Sequence, residues 1–188
     1  GFLEHVGWVA PTDGFLCRDI NSDGQITDQA ELFGNLSTSG YTMLGALDSN
    51  TDGKIDINDT AWSTLKVWQD ANGDGIGQAS ELQSVSTVGI KSIDLAFENV
   101  NLNVNGNFIT EQSWLTWDDN SQSRTWDVNL RINDFWTRYN EEYTLNPEVI
   151  FLPTARGYGE LPDLHIAMSL NASLLEKVEA FTEISISD

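Results

Sequence analysis

Apolar residues along the chain change period partway. Ala61, Leu65 and Trp68 recur at i, i+4 and i+7, the spacing of one helical face, with Asn58 or Asp59 placed to cap it. Met43, Leu44 and Leu47 suggest a shorter helix upstream. From residue 90 the period falls to two. Ile93, Leu95 and Phe97 alternate with Ser92, Asp94 and Ala96, predicting a strand with one buried face. Asn99, Asn101, Asn103, Asn105 and Asn107 then alternate with Val100, Leu102 and Val104. The apolar parity flips there from odd to even, which requires a bulge or turn near Glu98–Asn99. Asparagine is depleted in strands, so the ladder reads as an irregular edge. Further strands are expected at 108–117 and 124–132, joined by the polar DDNSQS turn. Pro147, Pro153 and Pro162 then break the chain before two helices, with stripes Leu164, Ala167, Met168 and Leu174, Leu175, Val178, Phe181.

This pattern predicts an α+β fold: acidic loops with short helices, a small irregular antiparallel sheet, and C-terminal helices. Residues 1–188 are read as one domain, with a loop-rich half at 5–89 and a strand and helix half at 90–188. Hydrophobic residues make up 40% of the chain, with 7 Trp and 8 Phe, which supplies a core and excludes a disordered acidic tail. Trp62 and Trp68 belong to the cores of the loop-flanking helices. Most of Trp114, Trp117, Trp126 and Trp136 should fill the sheet, leaving a few exposed, as aromatics are at sugar and peptide sites.

Charge alters the picture most. Twenty-nine acids against nine bases give a formal charge of −20, a surface that repels phosphates and argues against nucleic acid and anionic membranes as partners. No run approaches a transmembrane length. The opening GFLEHVGWV lacks both Met and a basic segment, and reads as an excised fragment, not a signal peptide. Cys17 is single, so no internal disulfide forms; it reads as a small core residue. His5 and His165 lie far apart with no zinc spacing around them. No nucleophile–base arrangement stands out, and the chain is read as non-enzymatic.

The acids are concentrated in three loops. In 48–59, Asp48, Asn50 and Asp52 occupy positions 1, 3 and 5, Gly53 position 6, Ile55 position 8, Asp56 position 9 and Asp59 position 12. This is EF-hand calcium spacing: short oxygen side chains at alternate positions turn inward as the loop curls, and a carboxylate closes the shell. Lys54 at position 7 offers its carbonyl. The loop 70–81 repeats the pattern with Asp70, Asn72, Asp74, Gly75, Ile76 and Glu81, but carries Gly77 at position 8, which should loosen its anchoring. The loop starting at residue 19 has Asp19, Asn21, Asp23, Gly24, Gln25 and Ile26, with its closing acid one residue late at Glu31. At least three Ca²⁺ ions are expected, lowering the formal charge from −20 to −14.

The phrases DGFLCRDINSDGQITDQAELFG, LDSNTDGKIDINDTAWSTLKVWQDANGDG and GIKSIDLAF resemble the calcium-binding modules of giant RTX proteins secreted by Gram-negative bacteria. Over residues 5–97 the resemblance is to Frp-type self-processing modules, in which calcium triggers cleavage of an Asp–Pro bond at the module's start. Overall the chain also resembles the calcium-dependent peptide-binding module of RTX adhesins. No Asp–Pro dipeptide occurs here, since the prolines follow Ala10, Asn146, Leu152 and Leu161. The resemblance therefore implies a monomeric, secreted or cell-surface adhesin module that binds the C-terminus of a host-surface protein or peptide, alongside other domains of the same adhesin. Arg156, Gly157, Tyr158 and Trp117 are the candidate ligand residues, Arg156 for its match to a carboxylate. Self-processing, carbohydrate binding and a structural spacer are the alternatives.

Overall fold

The computed structural model describes residues 2–35 and 37–184. In chain order its strands are β1 (Phe2–Val6), β2 (Phe15–Cys17), β3 (Lys54–Asp56), β4 (Lys66–Trp68), β5 (Leu82–Ser84), β6 (Ile90–Asp94), β7 (Glu98–Val104), β8 (Asn107–Trp117), β9 (Gln122–Asn129) and β10 (Ile132–Tyr139). The helices are α1 (Gly40–Gly45), α2 (Leu164–Leu170) and α3 (Ala172–Thr182), with short 3-10 turns between elements. Mixed content and antiparallel pairing make the fold α+β, as the pattern predicts.

The chain divides into two compact units, Trp8–Leu130 and a second formed by Gly1–Gly7 with Arg131–Asp188. The partings fall at 7/8 and 130/131, whereas residues 89 and 90 lie inside one unit.

In Trp8–Leu130 the larger sheet runs β3-β6-β8, with β7 beside β8 in line with β6 and β9 on the other edge of β8. The parity flip is real. Residues 95–97 leave the ladder between β6 and β7, and the register slips again between Asn99 and Leu102. Ser113, 1% exposed, closes the gap by donating its hydroxyl to the carbonyls of Asp94 (2.9 Å) and Ala96 (2.6 Å). One face covers the main core of Leu44, Ile55, Trp62, Leu65, Val85, Ile90, Ile93 and Leu115. A three-stranded sheet, β2-β4-β5, covers a second cluster of Cys17, Ile26 and Trp68, with Trp8, Phe15, Leu32 and Leu82 packed on it.

Two expectations fail in this unit. The stripe Ala61, Leu65, Trp68 is buried, but not on a helix: a 3-10 turn at Trp62–Thr64 leads into β4. Leu65 faces the main core and Trp68 the second cluster, and β4 gains ladder bonds on both edges from β2 and β5. Tertiary pairing overrides the local period. Among the sheet tryptophans, Trp114 and Trp126 are exposed, at 38% and 51%, because they sit on the sheet face turned from the core. The Arg124 guanidinium lies 3.7 Å over the Trp114 ring.

In the second unit β1 pairs with β10, its register slipping between Glu4 and His5. The side chains of His5 and Trp136 lie outside the described residues. A 3-10 turn at Pro147–Phe151, α2 and α3 bury Val149, Met168 and Leu175. His165 is structural here: its Nε2 lies 3.0 Å from the Leu152 carbonyl oxygen. Phe181, expected on the buried stripe, is 69% exposed. No described helix is long and apolar enough to cross a membrane.

Candidate metal-binding loops

The three acidic segments adopt one backbone. Their fourth residues, Ser22, Thr51 and Gly73, and their sixth, Gly24, Gly53 and Gly75, all have positive φ. A Cβ on Gly24, Gly53 or Gly75 would touch nothing within 4 Å, so conformation and not space calls for glycine there. Thr51, β-branched at φ 58°, holds a conformation such residues rarely adopt.

The hydrogen bonds repeat too. The first carboxylate accepts the amides of the fifth and sixth residues: Asp19 from Asp23 (3.2 Å) and Gly24 (3.0 Å), Asp48 from Asp52 (3.3 Å) and Gly53 (3.0 Å), Asp70 from Asp74 (3.1 Å) and Gly75 (2.9 Å). Asn21, Asn50 and Asn72 each accept the amide of the acid two residues on and donate to its carboxylate. Asp23, Asp52 and Asp74 in turn accept the amides of Gln25, Lys54 and Ile76. Side-chain oxygens therefore converge on the inside of each curl.

The closing acids differ. Glu31, 3% exposed, accepts the amides of Ile20, Thr27 and Asp28, and completes a capping box with Asp28. That box accounts for the extra residue, because the chain makes a 3-10 turn at Gln29–Glu31 before the acid can fold back. Asp59, 4% exposed, accepts the amides of Ser49 (2.8 Å) and Asp56 (2.9 Å). Burial opposes its charge, but the amides of Asp56 and Ser49 and the Ser49 hydroxyl outweigh it and hold the carboxyl below its ordinary range. It does not cap a helix, as its carboxylate turns back into the loop.

In the loop 70–81, Trp8 Nε1 donates to Asp70 (2.7 Å) and Trp68 Nε1 to Glu81 (3.3 Å). Carboxylate oxygens of Asp70, Asp74 and Glu81 lie within 4.8 Å of one another, the one such trio among the described residues, and could hold a metal ion. All are hard oxygen donors. Trp8, Ser49 and Asp28 are not among the residues expected from the sequence. Ser49 and Asp28 carried a local signal, lying inside their loops with Asp28 at capping-box spacing before Glu31, whereas Trp8 carried none.

Anchoring also corrects an expectation. Ile55 is fully buried in the main core while β3 pairs with β6. Gly77 does not loosen its loop: it forms an antiparallel bridge with Ile26, whose amide donates to the Gly77 carbonyl at 3.0 Å.

Of the candidate ligand residues, Trp117 belongs to the Trp8–Leu130 unit and Arg156, Gly157 and Tyr158 to the second. Trp117 packs against the main core and donates Nε1 to Ser123 at 2.8 Å. Arg156 and Tyr158 are exposed in the second unit, where Gly157 donates its amide to Asp163 at 2.6 Å. A cleft of about 430 Å³ there is lined by Gly157 with Arg138, Tyr139, Glu141, Tyr143 and Asp163, among others, but by neither Arg156 nor Tyr158.

An acidic α+β module with three repeated carboxylate loops, one of them gathering a metal-competent trio, is the class of protein that fold and site define. The chain belongs to the SPM-domain family, whose model matches residues 1–131 and so spans the whole Trp8–Leu130 unit. It is similar to "Iron-regulated protein FrpA" of Neisseria meningitidis serogroup C, 37% identical over 191 residues. That alignment takes in 97% of this chain and 17% of the relative's length.

Proposed function

We propose that the chain is a calcium-dependent module of a secreted RTX-type protein and that its three acidic loops are the ion sites. The carrying observation is the repeated loop: the same two left-handed positions and the same side-chain-to-amide bonds recur at 19–24, 48–53 and 70–75. Solvated turns have no reason to share both. Each loop also carries a buried carboxylate, Glu31, Asp56 with Asp59, and Asp70, a charged oxygen donor that a bound cation would stabilise. Oxygen-only donors spread over twelve or thirteen residues suit calcium better than zinc or copper, and better than the stricter octahedron of magnesium. Sites of about 10⁻⁴–10⁻³ M are typical of extracellular modules, so the module folds fully only outside the cell. Calcium titration followed by tryptophan emission and calorimetry tests this. Asp19→Asn, Asp48→Asn and Asp70→Asn, at the first position where the motif takes only Asp, should each remove one ion, and a stoichiometry unchanged by all three would refute the assignment.

Two uses of the ion-filled module are in play. The FrpA alignment, running through 97% of the chain, favours the Frp-type one: calcium-triggered cleavage of an Asp–Pro bond lying outside residues 1–188. The adhesin-type use is non-enzymatic capture of a host peptide C-terminus by a monomeric module, favoured by the exposed Arg156 loop. A chain extended upstream through an Asp–Pro bond, incubated with and without calcium, separates them. Cleavage in calcium supports the first. An intact chain that binds free but not amidated peptide C-termini supports the second.

A further inference from the structure

The acidic loops are not three equal neighbours. Ile26 and Gly77 stand at the same, eighth, position of loops 19–31 and 70–81, and their bridge joins these loops back to back. The backbones approach so closely that a Cβ on Gly77 would lie 2.7 Å from the Ile26 Cβ and 3.0 Å from its amide nitrogen and carbonyl oxygen. Both loops rest on one small core. Ile26, 6% exposed, packs with Cys17 and Trp68, and Trp8 packs on the same cluster. From that core the indoles of Trp8 and Trp68 hold the first and last carboxylates of loop 70–81. Strand β2 returns to loop 19–31 through the Cys17–Leu32 bridge and the Arg18 amide on the Glu31 carbonyl. Loop 48–59 shares none of this: its eighth residue, Ile55, enters the main core, and its strand pairs with β6.

We infer that loops 19–31 and 70–81 fill with Ca²⁺ as a coupled pair through the Ile26–Gly77 bridge, while loop 48–59 fills independently. This rests on the ion-site reading above. Ordering either loop fixes the shared core and the bridge, so the second ion meets a prepared loop. By linkage the effect is reciprocal, and couplings of this kind are about 5–150-fold.

The test is a calcium titration of the full chain read at the amide resonances of Gly24, Gly53 and Gly75, one per loop. Asp70→Asn, near-isosteric, disables loop 70–81 at its first position, where the motif takes only Asp. Affinity at Gly24 should then fall by about 5–150-fold with Gly53 unchanged, and Asp19→Asn should weaken Gly75 by the same factor. Gly77→Ala should reduce the coupling while both loops still bind. An unchanged Gly24 in Asp70→Asn, or an equal shift at Gly53, overturns the pairing while leaving the ion sites standing. Absence of any calcium response in the unsubstituted chain overturns both readings.

Discussion

Ile55 and Ile57 stand two residues apart on one acidic loop, at 0% and 77% exposure, and so offer a paired test of what anchors it. Ile55→Ala deletes three buried carbons, worth about 2.4 kcal/mol at roughly 0.8 kcal/mol each. The cavity left among Leu44, Leu65 and Ile93 brings the loss to about 3–4 kcal/mol. For a chain of this size that is a fall in Tm of roughly 6–16 °C. The same deletion at Ile57 removes almost no buried area and should cost under about 0.5 kcal/mol. Urea denaturation of both variants at one fixed calcium concentration gives the difference directly. Because β3 carries Lys54–Asp56 into the sheet, loop 48–59 should also lose calcium affinity in Ile55→Ala alone. Equal losses in the two variants, or a loss under about 1 kcal/mol at Ile55, would refute the claim that this side chain pins the loop to the core.

Chelation should be the most damaging perturbation. Three sites at about 100 times Kd contribute around 8 kcal/mol together, so EDTA should lower Tm by roughly 16–32 °C and remove exchange protection first from residues 19–82. A melting curve indifferent to EDTA would contradict the calcium reading. Cys17 is fully buried, and burial pushes its thiol from 9.0 up to about 12, so DTNB should fail to label it at pH 8 in calcium and label it after chelation. Rapid labelling of the calcium form would place the thiol at the surface. The raised value also means that its contribution to stability is complete below pH 9.0 and is lost as pH climbs toward about 12. Asp59 runs the other way. Its lowered value adds stability above the ordinary 3.8, lost as pH falls through the shifted one, so the gap between the native chain and Asp59→Asn should close in acid. A gap constant from pH 7 to pH 3 would argue against the amide-held carboxylate.

What one reads from the residues depends on how local the cause is. The acidic loops are legible because chelation chemistry and turn geometry act over a dozen consecutive positions: oxygen side chains at 1, 3 and 5, glycine at 6 and a closing acid all sit within one curl. Even the late Glu31 follows from a local device, the Asp28 capping box. Strands β8 and β9 and helices α2 and α3 were legible from their periods, since each buries one face.

The rest was decided by partners remote in sequence. Period alone cannot distinguish a helix buried on one core from a turn and strand divided between two, and 61–68 took the second course because β2 and β5 offered ladder bonds on both sides of β4. The tryptophans of β8 and β9 have the same composition on either face, and only the placement of the main core left Trp114 and Trp126 outside it. Gly77 read as a weakness until Ile26, 51 positions away, proved to occupy the space a side chain would have needed. The chain by itself determined where carboxylates gather and how each loop curls, because those are short-range matters of φ, ψ and hydrogen bonding. Tertiary structure alone decided which loops touch, which core each one stands on and which indoles hold its acids, because those depend on apolar area and ladder bonds contributed from distant segments.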